Sequence, residues 1–111
     1  MTNFLQILTT TATREDAERI ARALVETKLA ACVQIVGPIT SIYRWQGNVE
    51  TTQEWQCWAK SRRDLWSAVE RAIRGLHPYE VPEILAMPIE TGSADYLKWL
   101  DAETGLTGEN A

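Results

Sequence analysis

The spacing of apolar positions changes repeatedly along the chain, and each change marks an element. Residues 4–10 (Phe4-Leu5-Gln6-Ile7-Leu8-Thr9-Thr10) are aliphatic and β-prone and predict a first strand. Thr13 is placed to cap a helix, with Glu15 and Asp16 in its acidic first turn. Ala17, Ile20, Ala21, Leu24 and Val25 follow at the i, i+3, i+4, i+7, i+8 spacing of one helical stripe. A second strand starts near Ala30, is interrupted by Gly37-Pro38 and resumes over residues 39–45. Proline has no N–H to give to a ladder, so a bulge or an edge position is expected there. Gln46-Gly47-Asn48 signals a hairpin turn, and residues 49–60 return as a third strand. Its alternation sends Trp55, Cys57 and Ala59 to one face and Glu54, Gln56, Trp58 and Lys60 to the other.

Ser61 and Asp64 have cap-like spacing for a second helix, whose stripe is Leu65, Val69, Ala72, Ile73 and Leu76. Arg62, Arg63, Glu70, Arg71 and Arg74 read as its solvated side, and Gly75 as its stop. Pro78 and Pro82 force the next segment to be extended. On an extended path His77, Tyr79, Val81 and Glu83 share a side, so that imidazole, phenol and carboxylate converge. Residues 84–89 form a fourth strand. Gly92-Ser93 begins a short helix carrying Tyr96, Leu97, Trp99 and Leu100, and residues 105–111 form a polar, fraying tail.

The order β-α-β-β-α-β specifies an α+β, ferredoxin-like domain: a four-stranded antiparallel sheet with two helices on one face, plus the short C-terminal helix. The 111 residues suit one such domain. Its other sheet face is bare in a monomer, and the long second and third strands overhang the rest with unpaired edges. Self-association covers both. Five tryptophans in so short a chain fit that expectation, because tryptophan is favoured at interfaces.

A net charge of −4 argues against nucleic acid as a partner. No apolar run reaches membrane-spanning length and no secretory leader is evident, so a cytoplasmic protein is expected. Cys32 and Cys57 lie within apolar stretches, as buried free thiols do, and CxxC motifs are absent. The motifs of phosphate loops, nucleophile elbows and zinc proteases are absent too, so no enzyme activity and no required cofactor are expected.

Four segments, in order, closely resemble the CutA divalent-cation tolerance family. They are Lys28-Leu29-Ala30-Ala31-Cys32-Val33, Ser41-Ile42-Tyr43-Arg44-Trp45-Gln46-Gly47, His77-Pro78-Tyr79-Glu80-Val81-Pro82-Glu83-Ile84 and Asp95-Tyr96-Leu97-Lys98-Trp99. The resemblance implies a homotrimer with strands crossing subunit borders, and a cytosolic role in tolerance of copper and other divalent cations, with signalling in some members. Members with a proposed copper site carry a cysteine at the end of the first strand and paired histidines before the Pro-Tyr. Here Thr9 and Leu76 hold two of those positions and only His77 matches. Neither threonine nor leucine is a soft-metal ligand. His77, with nearby carboxylates, is therefore the metal candidate, for weak binding of a divalent cation such as copper. The family's intersubunit pocket maps onto Tyr43, Trp45, Lys60, His77, Tyr79 and Glu83, a cleft for a small ligand or a metal ion. The nitrogen-regulatory PII proteins resemble this family in fold and trimer, which makes a trimeric small-molecule sensor the alternative. Their signalling loop is long, whereas the hairpin turn here is short.

Overall fold

The structure is a computed structural model that describes residues 3–105. Its elements run β1 (Phe4–Thr11), α1 (Arg14–Glu26), β2 (Cys32–Trp45), β3 (Asn48–Arg62), α2 (Trp66–Leu76), β4 (Ile84–Pro88) and α3 (Ala94–Ala102). The strands form one antiparallel sheet in the order β2-β3-β1-β4. This is the ferredoxin-like arrangement that the element order specifies.

α1 begins where the Thr13 hydroxyl accepts the Asp16 N–H. It ends in a Schellman motif: Leu29 N–H reaches the Leu24 carbonyl at 3.0 Å and Lys28 N–H the Val25 carbonyl at 3.1 Å. Lys28 takes the left-handed conformation (φ 63°) that glycine usually supplies there. Ile20 and Leu24 of α1, with Val69 and Ile73 of α2, pack on the sheet face that carries Leu5, Ile7 and Ala59. Val25, at the margin of the α1 stripe, misses this core and is 41% exposed.

The start of α2 departs from its expected cap. β3 runs on to Arg62, in register with Phe4, so Ser61 is a buried strand residue whose hydroxyl donates to the Leu29 carbonyl. A 3-10 turn, Arg63–Leu65, leads into α2 without a side-chain cap. Asp64 turns back to Arg62 instead. Arg62 is accordingly not on a solvated face. Its guanidinium bonds both Asp64 oxygens and the Thr104 carbonyl and lies 3.5 Å from Asp101, tying the end of α3 to β3. Gly75 lies inside α2, which stops one residue later because Pro78 holds His77 extended. Of the polar tail, residues 106–111 lie outside the described residues, and Gly105 N–H donates to the Lys28 carbonyl.

Two features make the β2–β3 hairpin the longest part of the molecule. Gln46 (φ 49°) and Gly47 (φ 84°) close it in two residues, with the paired positive φ values of a type I′ turn. Thr11, the last residue of β1, pairs with Trp55, so residues 48–54 of β3 pair only with β2. The bulge between Val36 and Ile39 carries a cis Gly37-Pro38 bond and sits on the edge strand, where proline costs no ladder bond.

Candidate functional site

The site forms where β1 stops and the hairpin continues. The segment after α2 crosses that point, and two contacts fix its start. Arg19 of α1 donates to the Leu76 carbonyl at 2.9 Å and to Asp16 at 3.0 Å, satisfying an end carbonyl of α2. His77 turns inward and is 8% exposed. Its Nδ1 lies 3.1 Å from the Tyr79 N–H, and its Nε2 lies 2.7 Å from the Thr10 carbonyl oxygen. An amide N–H only donates, so Nδ1 is the acceptor and Nε2 carries the proton given to Thr10. With both ring nitrogens engaged, His77 has none left for a metal ion in this arrangement. It joins the segment to β1.

Tyr79 packs its ring against His77, with centroids 4.7 Å apart. Its phenol donates to Glu54 Oε2 at 2.6 Å, a short charge-assisted bond. Burial, then the Glu54 carboxylate as hydrogen-bond partner and nearby charge, push this phenol far above its ordinary range. Tyr79 thus stays a donor at any physiological pH. Glu54, opposite Ile39 and just beyond the Thr11–Trp55 pair, is only 7% exposed.

Between the hairpin and residues 79–83 lies a cavity of about 570 Å³. Tyr43, Trp45, Tyr79 and Glu83 line it, together with Thr10, Ser41, Ile42, Glu54, Glu80 and Val81. Four of the six residues named from the sequence therefore meet at one place. His77 lies behind Tyr79 as its support. Lys60 is elsewhere: it stands six residues from Glu54 along β3, about 20 Å at strand spacing, and its Nζ donates to Gln34. Of the side expected to be shared by His77, Tyr79, Val81 and Glu83, the last three line the cavity together, while His77 sits behind Tyr79. The segment bends at residues 79–81, leaving His77 buried while Val81 and Glu83 are exposed.

Glu54 is the residue that sequence reading missed. A lone carboxylate in an alternating strand looks like any solvent-facing position. Only the register against β1, which ends one pair earlier, reveals that it lines a cavity. Thr9 is 1% exposed, and its hydroxyl has no partner among the described residues. Cys57, opposite Thr9, faces the Ala17 carbonyl at 3.4 Å, and burial pushes its thiol up to about 11. A thiol that holds its proton is a poor metal ligand. Among the described residues no three His, Cys, Asp or Glu side chains are grouped to hold a metal ion.

Residues 5–103 match the family model of the CutA1 divalent ion tolerance protein. The chain is 48% identical over 99 residues to the divalent-cation tolerance protein CutA of Thermus thermophilus, covering 89% of this chain and 96% of that one. It is 49% identical over 84 residues to the CutA homolog of Xenopus laevis; this covers 76% of the chain but only 56% of the longer relative. The solved structure of the Thermus thermophilus protein superposes with a TM-score of 0.90 at 46% identity, over 92% of this chain and 99% of that one.

Proposed function

Because the chain belongs to the CutA1 divalent ion tolerance protein family, we propose that it serves divalent-cation tolerance as a homotrimeric binding or signalling module without turnover of its own. The observation that carries this reading is the family match over residues 5–103, together with a cavity built from that family's hairpin and His-Pro-Tyr segments. Exposed apolar side chains support association: Ile42 (70% exposed) and Val49 (65%) on the hairpin, and Leu85 (52%) on β4. On this reading the cavity opens at a subunit border and takes a small ligand, and copper binds weakly and without His77. A cytoplasmic location is part of the proposal, supported by two unpaired cysteines, Cys32 and Cys57, which suit a reducing compartment.

Light scattering at micromolar concentration is expected to give three times the 12.5 kDa chain mass; a monomer rejects the reading. Copper(II) calorimetry should give a weak isotherm that His77→Ala leaves unchanged. Loss of that isotherm in the variant returns His77 to the metal site. The alternative of a PII-like sensor gains no support, since Gln46-Gly47 closes the hairpin in two residues and leaves no signalling loop there.

A further inference from the structure

The cavity beside Glu54 is acidic, and no basic side chain of the described residues lines it. Its ten lining residues include three carboxylates, Glu54, Glu80 and Glu83, and no lysine, arginine or histidine. The described ion pairs lie elsewhere, at Arg14–Glu18, Arg19–Asp16, Arg62–Asp64, Arg62–Asp101 and Arg74–Glu70. Glu54 is 7% exposed, and its hydrogen bond comes from a phenol, which contributes no positive charge. A carboxylate so far removed from water gains most from a cation. The rest of the lining says which kind. Tyr43, Trp45 and Tyr79 bring aromatic rings, and Ile42 and Val81 bring aliphatic surface. Aromatic faces attract cations through the ring quadrupole and at the same time accept apolar substituents. A bare metal ion uses neither property and would need grouped donors that the described residues lack. A cavity of about 570 Å³ also has the size of a small-molecule site rather than an ion site.

We propose that this cavity binds a small organic ammonium ion, its charge near Glu54 and its carbon substituents against Trp45, Tyr43 and Ile42. The inference rests on the reading of the protein as a ligand-binding module and names the ligand class of that module. Tyr79 acts as a positioning residue: its bond to Oε2 orients the carboxylate toward the cavity. The excess negative charge of the chain, −4, raises the local concentration of such a cation.

The test uses the full chain with choline as probe, 3,3-dimethylbutan-1-ol as its neutral isostere, and titration followed by ¹⁵N–¹H spectra. Choline is expected to give saturable shifts centred on the Trp45 indole and on residues 79–83. The neutral isostere should bind at least tenfold more weakly. Glu54→Gln, which still accepts the Tyr79 hydrogen bond, should weaken choline at least tenfold. Trp45→Leu, at the open end of the hairpin, should weaken it severalfold and serves if the first variant does not fold. Equal binding of the isostere, or an unchanged affinity in the folded variants, overturns the proposal. So does an absence of saturable shifts, the result if a basic side chain of a neighbouring subunit fills the cavity. Light scattering on the same samples separates the two levels. A trimer that ignores choline rejects the ammonium ligand alone, whereas a monomer rejects the module reading itself.

Discussion

Among single residues, the site depends on groups whose donor and acceptor roles are set by their surroundings. His77 is held as the Nε2–H tautomer by one acceptor and one donor of the backbone. Tyr79 is held protonated by burial and by Glu54. Cys57 extends the same logic to stability. Its thiol ordinarily titrates near 9.0, and burial raises it to about 11 in the folded chain. The unfolded chain therefore releases this proton first as the pH rises. The contribution to stability is complete below pH 9 and is lost as the pH passes through 11. A rise of this size corresponds to about 3 kcal/mol. Urea melts at pH 8 and 10.5 should show a steeper loss in the parent chain than in Cys57→Ala, and equal slopes would remove Cys57 as the cause. The pattern of apolar neighbours made Cys57 readable as a buried free thiol. Nothing local to Glu54 announced that it, too, is buried.

The helices and strands were more legible, because periodicity and caps act over a few residues. The α1 stripe, its Thr13 cap and the two-residue hairpin turn all follow from sequence spacing. The second helix shows the limit. Ser61 and Asp64 carry a cap pattern, but the β3 ladder claims Ser61 first, since extending the pairing to Phe4–Arg62 satisfies backbone groups on both strands. The bulge shows why one glycine matters. A Cβ on Gly37 would sit 2.5 Å from Trp55 Cδ1, inside any real contact distance. Gly37→Ala is expected to cost about 1–3 kcal/mol by overpacking, read as a lower melting temperature. Adding Trp55→Leu should recover part of the loss as a non-additive pair. Strictly additive effects would place the cost in the backbone instead.

Over the molecule as a whole, the hairpin sets the shape. A 15-residue strand reaches about 46 Å along its axis, which matches the 45 Å longest dimension. The radius of gyration, 14.7 Å, exceeds the roughly 13 Å of a compact chain of this length for the same reason. An arm that projects Ile42 and Val49 into solvent is costly for an isolated subunit and useful to an assembly. On the proposed homotrimer, Ile42→Asp should leave the chain folded by circular dichroism but shift light scattering toward monomer at micromolar concentration, because burying an isoleucine is worth about 1.5–3 kcal/mol and a trimer would repeat the contact. A full trimer in that variant would mean that Ile42 lies outside the interface.

Local chain chemistry was enough to specify the order and kind of the elements, most of the stripes of both packed helices and the hairpin turn, while four members of the cavity lining, Tyr43, Trp45, Tyr79 and Glu83, came from the family resemblance of two motifs. Each of these depends on residues close together in the chain, or on a motif whose residues stay in register. Three other outcomes came only with the packed fold. It placed Lys60 away from the cavity of its own chain, on Gln34, and gave Arg62 to the C-terminal helix. It also made His77 a support for Tyr79 rather than an open ligand. Those outcomes depend on contacts spanning 26, 42 and 67 residues. They are fixed only when the strands have paired and the helices have packed on the sheet.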